Sequence, residues 1–123
     1  MDKIEEILSS GGAVVLPTET VYGLFCKALD EQAVSHVYDL KGRPREKALN
    51  LNVSSLEEIY QFSKHQPQYL KKLYQAFLPG PLTIILQANE QVPIWVNSGM
   101  KTIGFRVPSH PKTLDLIRKF GPL

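Results

Sequence analysis

Apolar positions along this chain switch repeatedly between helical spacing and short strand-like runs. Ile4, Ile7 and Leu8 fall on one face of Asp2 to Ser10, which predicts a helix stopped by Gly11-Gly12. Ala13 to Leu16 is a short apolar strand ended by Pro17, and Val21 to Ala28 reads as extended, with Gly23 its weakest point. Asp30 is placed to cap a helix running to about Leu40, with Val34, Val37, Tyr38 and Leu40 facing inward. Ala48 to Val53 alternates as a strand. Ser55-Leu56-Glu57-Glu58 has capping-box spacing, so a helix starts there and runs to about Ser63. Pro67 suits the first turn of a helix through Phe77, and Pro79-Gly80-Pro81 breaks it. Leu82 to Gln87 and Thr102 to Val107 are strand-like, and Pro111 to Phe120 is a final helix carrying Leu114, Ile117 and Arg118. Helices and strands mixed in this order predict an α/β or α+β fold, with helices against a twisted sheet.

The length of 123 residues suits one domain, and 43% hydrophobic with 21% charged residues suits a soluble globular one. No apolar run approaches the ~20 residues that span a bilayer. The start, Met1-Asp2-Lys3-Ile4-Glu5-Glu6, is too acidic and polar for a signal peptide. A single cysteine, Cys26, excludes an internal disulfide, fits a reducing cytoplasm, and lies in an apolar stretch as an inert core thiol would. The ending Gly121-Pro122-Leu123 has the form of a lead-in to another strand, and reads either as a chain cut before its last elements or as a frayed natural terminus.

Net charge is +2, but Lys41 to Lys47 alone contributes +3. Lys41-Gly42-Arg43-Pro44-Arg45-Glu46-Lys47 cannot be a regular helix or strand interior, because it holds both Gly and Pro. A cationic loop of this kind either is a solvated turn or receives a polyphosphate, with Arg as planar fork and Lys as point charge. So local an excess favours a small anion over a long polyanion. Pro17 to Leu24 reads equally as a ligand contact through its threonines or as a turn whose hydroxyls satisfy their own backbone. Leu78-Pro79-Gly80-Pro81-Leu82-Thr83 reads as a fixed helix-to-strand corner first and as a pocket wall second. In Thr102 to His110, alternation puts Thr102, Gly104 and Arg106 on one face, and Ile103, Phe105 and Val107 on the other. Arg106 there is a salt-bridge partner or an anion receptor. His110 follows it closely enough to reach a site, whereas His36 and His65 read as surface residues. The three histidines are too scattered for a metal site, and the chain has neither a P-loop nor a G-x-G-x-x-G motif.

Leu16-Pro17-Thr18-Glu19-Thr20-Val21-Tyr22-Gly23-Leu24, Lys41-Gly42-Arg43-Pro44, Leu78-Pro79-Gly80-Pro81-Leu82-Thr83 and Arg106-Val107-Pro108-Ser109-His110-Pro111 occur in the order found in the YrdC/TsaC family. The chain resembles that family over essentially its whole length. The resemblance implies a twisted mixed sheet with flanking helices around a positively charged cavity. It implies synthesis of threonylcarbamoyl-adenylate from L-threonine, bicarbonate and ATP, with release of pyrophosphate and Mg²⁺ accompanying ATP. The product would pass to a threonylcarbamoyl transferase complex that modifies tRNA. By the same resemblance, Lys41 and Arg43 are catalytic contacts to the ATP phosphates, and Lys47 and Thr102 are further ATP contacts. Thr20, Asn52 and Arg106 would hold threonine, with Arg106 pairing the carboxylate.

Two departures stand out. Ala48 replaces a proline common in relatives. A Ser-x-Asn motif that helps hold the nucleotide in relatives does not occur, nor do the strands that close the cavity. The resemblance therefore identifies ancestry ahead of activity. A nucleotide- or RNA-binding module without turnover, an inactive fragment, and a carbamoyl-transfer domain like that of the hydrogenase-maturation HypF proteins are the alternatives. Open sheet edges would also predict self-association or marginal stability.

Overall fold

A computed structural model describes residues 2–18, 22–42, 44 and 48–123. The fold is organised by a four-stranded sheet in the order β3-β6-β5-β4, formed by Leu51–Asn52, Thr102–Val107, Gly80–Ala88 and Ser63–Lys64. β3 runs parallel to β6, and the other neighbours are antiparallel. A separate antiparallel hairpin pairs β1 (Val14–Pro17) with β2 (Tyr22–Phe25).

The strand sequence Thr102-Ile103-Gly104-Phe105-Arg106-Val107 shows why one face of the sheet is core. Ile103, Phe105 and Val107 are all buried, and Thr102 and Arg106 are half-buried on the opposite face. Leu51, Val53, Ile84 and Leu86 extend that apolar face. These residues share one core with buried side chains of α2 (Glu31–Lys41), α3 (Leu56–Phe62), α4 (Leu70–Phe77) and the single turn α5 (Ile94–Asn97). A second apolar cluster joins α1 (Lys3–Ser9), β1 and α6 (Pro111–Phe120) through Leu8, Leu16, Leu116 and Ile117.

Helix ends follow local chemistry. The Asp2 side chain accepts from Glu5 N at 2.8 Å, and Asp30 Oδ1 accepts from Gln32 N and Ala33 N. Gly42, at φ +63°, closes α2 in the left-handed conformation that only glycine adopts cheaply. The capping box at Ser55 forms in a shifted version. Ser55 Oγ accepts from Glu58 N at 3.3 Å, and the Glu58 carboxylate reaches back one residue further, accepting from Ser54 N at 3.0 Å.

Several boundaries differ from the sequence reading. Leu40 is 57% exposed, because Val34, Val37 and Tyr38 define the inward stripe at i, i+3, i+4 and Leu40 falls outside it. The stripe continues instead to Lys41, the last helical residue, so this lysine is fixed by a helix and not by a loop. Only Leu51–Asn52 of the 48–53 segment pairs as a strand, since Leu49 N donates to Val96 O of α5. α4 begins at Leu70, after a turn in which Leu70 N bonds Pro67 O. β5 begins at Gly80, earlier than expected; the ladder shifts register between Gly80 and Ile84, which spares Pro81 a pairing its missing N–H could not make. The short elements β4 and α5 carry no sequence signal of their own. After α6, Leu123 exchanges two backbone hydrogen bonds with Asn52, at 3.0 and 3.1 Å, and so pairs with the free edge of β3. Among the described residues, no helix is long and apolar enough to cross a membrane.

Thr113 ties α6 to β1 within the second cluster. It is fully buried, and its Oγ1 donates to Pro17 O at 2.7 Å, fixing the end of β1 to α6. Thr113→Val keeps the shape and removes the donor. The carbonyl of the half-buried Pro17 then loses this donor, so urea unfolding should show a loss of about 0.5–1.5 kcal/mol, the net size of one hydrogen bond, which Thr113→Ser should largely avoid.

Candidate functional site

A cavity of about 270 Å³ opens between β2, the C-terminal end of α2, and the β3–β6 pair. Its apolar wall includes Leu24, Phe25, Val34, Val37 and Val96. Its polar lining comprises Thr18, Asn50 and Asn52, with Lys41 and Arg106 as the charged side chains among the described residues. Both charges are positive. The described lining contains no acidic side chain.

The parallel register explains how two of these residues meet. Asn52 is the cross-strand partner of Arg106, and the fully buried Leu51 partners Phe105 on the other face. Val53 N donates to Arg106 O at 2.9 Å, which extends the pairing. Asn52 Nδ2 donates to Leu123 O at 3.3 Å, so one end of its carboxamide is already engaged. Lys41 arrives from the helix side. Its position four residues after Val37 and seven after Val34 continues the face that walls the cavity.

Cys26 also lines the cavity and is buried. Burial, then the nearby Asp30 carboxylate, push its thiol up to about 11 against a smaller opposing effect from Lys41. At neutral pH it is therefore a protonated, poorly nucleophilic group, in keeping with an inert role.

The structure thus brings Lys41, Asn52 and Arg106 into one cavity. Thr102 sits at the far end of β6, half-buried opposite Gln87, with its carbonyl accepting from Asn97 Nδ2 at 3.0 Å; it is not part of the cavity lining. Thr20, Arg43 and Lys47 lie outside the described residues. His110 is exposed and outside the lining; its Nδ1 accepts from Lys112 N at 3.3 Å as the cap of α6. His36 and His65 are exposed, as read from the sequence. Among the described residues, no group of three or more His, Cys, Asp or Glu could hold a metal. Sequence reasoning missed Asn50 as a lining residue. Its only signal was its position two residues before Asn52.

A curled mixed sheet with flanking helices and a two-cation cavity at a parallel strand pair defines an α/β ligand-binding domain. The Sua5/YciO/YrdC profile, described as "Telomere recombination", matches residues 6–123, and the chain belongs to this family. A threonylcarbamoyl-AMP synthase of Pyrococcus abyssi is 40% identical over 110 residues, which are 89% of this chain and 32% of the relative. The crystal structure of P. abyssi Sua5 complexed with L-threonine matches at a TM-score of 0.91 and 38% identity, over 97% of this chain and 35% of that one. E. coli YciO matches at 0.83 and 31% identity, over 98% and 59%. The chain spans between about a third and three-fifths of the length of these three proteins.

Proposed function

We propose that this chain carries the substrate cavity of an L-threonylcarbamoyladenylate synthase. The observation that carries the proposal is the Asn52–Arg106 register pair sharing one cavity with Lys41. The guanidinium of Arg106 suits the threonine carboxylate, which it can engage through two parallel hydrogen bonds. Asn52 and Thr20 would complete the threonine contacts, and Lys41, Arg43, Lys47 and Thr102 those to ATP. Bicarbonate and the threonine amine condense to a carbamate with loss of water. A carbamate oxygen then bonds to the α-phosphorus as the bond to the pyrophosphate oxygen breaks. Negative charge grows on the phosphoryl oxygens and on departing pyrophosphate, and Lys41 would offset it. No protein nucleophile is needed; holding the reactants together in a small cavity supplies much of the acceleration.

Mg²⁺ would enter on the triphosphate. The described lining offers it no acidic side chain, so the described residues do not form a protein-held cation site. The product is a reactive acyl phosphate, to be consumed by a transferase acting on tRNA in the cytoplasm.

The test is calorimetric titration of L-threonine and of ATP with Mg²⁺ into the 123-residue chain, alongside Lys41→Ala. Both ligands should bind. Lys41→Ala should weaken ATP about tenfold or more through loss of a charge-assisted contact, and flatten the dependence of ATP affinity on salt. Absence of threonine binding, with ATP binding indifferent to Lys41, would overturn the proposal.

A further inference from the structure

Asn50 lines the cavity, is exposed, and its carboxamide has no hydrogen-bond partner among the described residues. Asn50 and Asn52 flank the fully buried Leu51, and both line the same cavity. The carboxamide lies against Gly104. A Cβ built on Gly104 would collide with Asn50 Oδ1 and come within 3.3 Å of Thr83 Cγ2. The absent side chain is therefore what lets the Asn50 amide reach over the backbone of β6. Gly104 itself lies midway between Thr102 and Arg106 on that face, about 7 Å along the strand from each.

This midpoint acquires a meaning from the proposed function, on which the following inference rests. With Arg106 holding the threonine carboxylate, Gly104 is the next residue along the same face of β6, and the Asn50 carboxamide lies over it from the wall of the same cavity. In threonylcarbamoyl-AMP only Cα and the nitrogen separate the carboxylate carbon from the carbamoyl carbon, so the carbamoyl group falls beside the carboxylate and within reach of this neighbouring amide. The geometry points to Asn50 as a specificity-determining residue that recognises the carbamoyl-phosphate junction, its Nδ2 donating to the carbamoyl oxygen, a group that neither threonine nor ATP carries alone. A neutral donor suits this place. It meets a carbonyl oxygen beside the negative phosphoryl group, without adding a third cation that would hold the free carboxylate of threonine in the wrong register. Gly104 acts through Asn50, by keeping the space that the carboxamide occupies.

The experiment titrates L-threonine alone, ATP alone and threonylcarbamoyl-AMP into the full chain and into Asn50→Ala, Asn50→Asp, Gly104→Ala and the Asn50→Ala/Gly104→Ala double variant. Asn50→Ala should bind each substrate alone within about twofold of the unsubstituted chain, and threonylcarbamoyl-AMP about three- to tenfold more weakly, the size of one net hydrogen bond. Asn50→Asp should be weaker still for threonylcarbamoyl-AMP, because a carboxylate repels the junction; a residue that only packs would not register that charge. Gly104→Ala should reproduce the loss by displacing the carboxamide, and should add little in the double variant. Thermal midpoints of the Asn50 variants should match that of the unsubstituted chain. Unchanged affinity of Asn50→Ala for threonylcarbamoyl-AMP, or an equal loss for threonine alone, overturns the role of Asn50 and leaves the synthase assignment standing. An unsubstituted chain that binds neither threonine nor ATP overturns both.

Discussion

Arg106→Ala should reduce L-threonine affinity by about 10- to 100-fold, corresponding to loss of a charge-assisted hydrogen bond with a bidentate partner. The position explains the size. Arg106 is one of two charged side chains in the described lining; it pairs with Asn52 of β3, and its neighbours Phe105 and Val107 pair with β5. Its side chain therefore starts from a fixed platform, and little ordering is required when a carboxylate arrives. Arg106→Lys keeps the charge and loses the planar fork, so it should fall between the two. ATP binding in the absence of threonine should respond far less to Arg106 than to Lys41. Calorimetry on the two variants separates the ligands. Threonine affinity indifferent to Arg106→Ala would place the carboxylate elsewhere in the cavity.

The sequence made some of this arrangement visible and concealed the rest for physical reasons. β6 and α6 have the boundaries expected, because each carries its own signal: strict alternation from Thr102 to Val107, and Pro111 with Gly121 around an amphipathic helix. The placement of Arg106 on the face opposite Phe105 followed from period two alone. Its partnership with Asn52 did not, because a parallel pairing between residues far apart in sequence leaves no local trace. Lys41 was recognised by charge but assigned to a loop. Helical periodicity from Val34 through Val37 contained the correction, since Lys41 falls on the same stripe. β4 and α5 have two and four residues, too few for any period to show, and they exist because β5 and the 48–50 segment offer them partners. His110 looked close to Arg106 along the chain, yet Pro111 begins a helix there and turns the imidazole into its cap.

The buried face of the sheet should prove as important to the site as the polar one. Phe105→Ala is expected to cost about 3–5 kcal/mol, the usual range for emptying a fully buried aromatic position. Against the 5–15 kcal/mol that typically holds a domain of about this size, such a loss is large, and it should lower the thermal midpoint on the order of 10–20 °C. Phe105 pairs with Leu51 on one side and with Ile84 on the other, so its ring anchors both neighbours of β6. The same residue separates Gly104 from Arg106 on the opposite face. Phe105→Leu preserves much of the volume and should lose no more than about 1.5 kcal/mol. Threonine affinity should then follow stability in a telling way. Phe105→Leu should bind about as well as the unsubstituted chain, whereas Phe105→Ala should bind more weakly even where circular dichroism shows it fully folded, because a shifted β6 no longer presents Arg106 opposite Asn52. Chemical denaturation and calorimetry on the two variants check both halves of the expectation. Normal threonine affinity in a folded Phe105→Ala would mean that backbone pairing with β3 and β5 alone suffices to position Arg106, and that the core contributes stability without setting the geometry of the cavity.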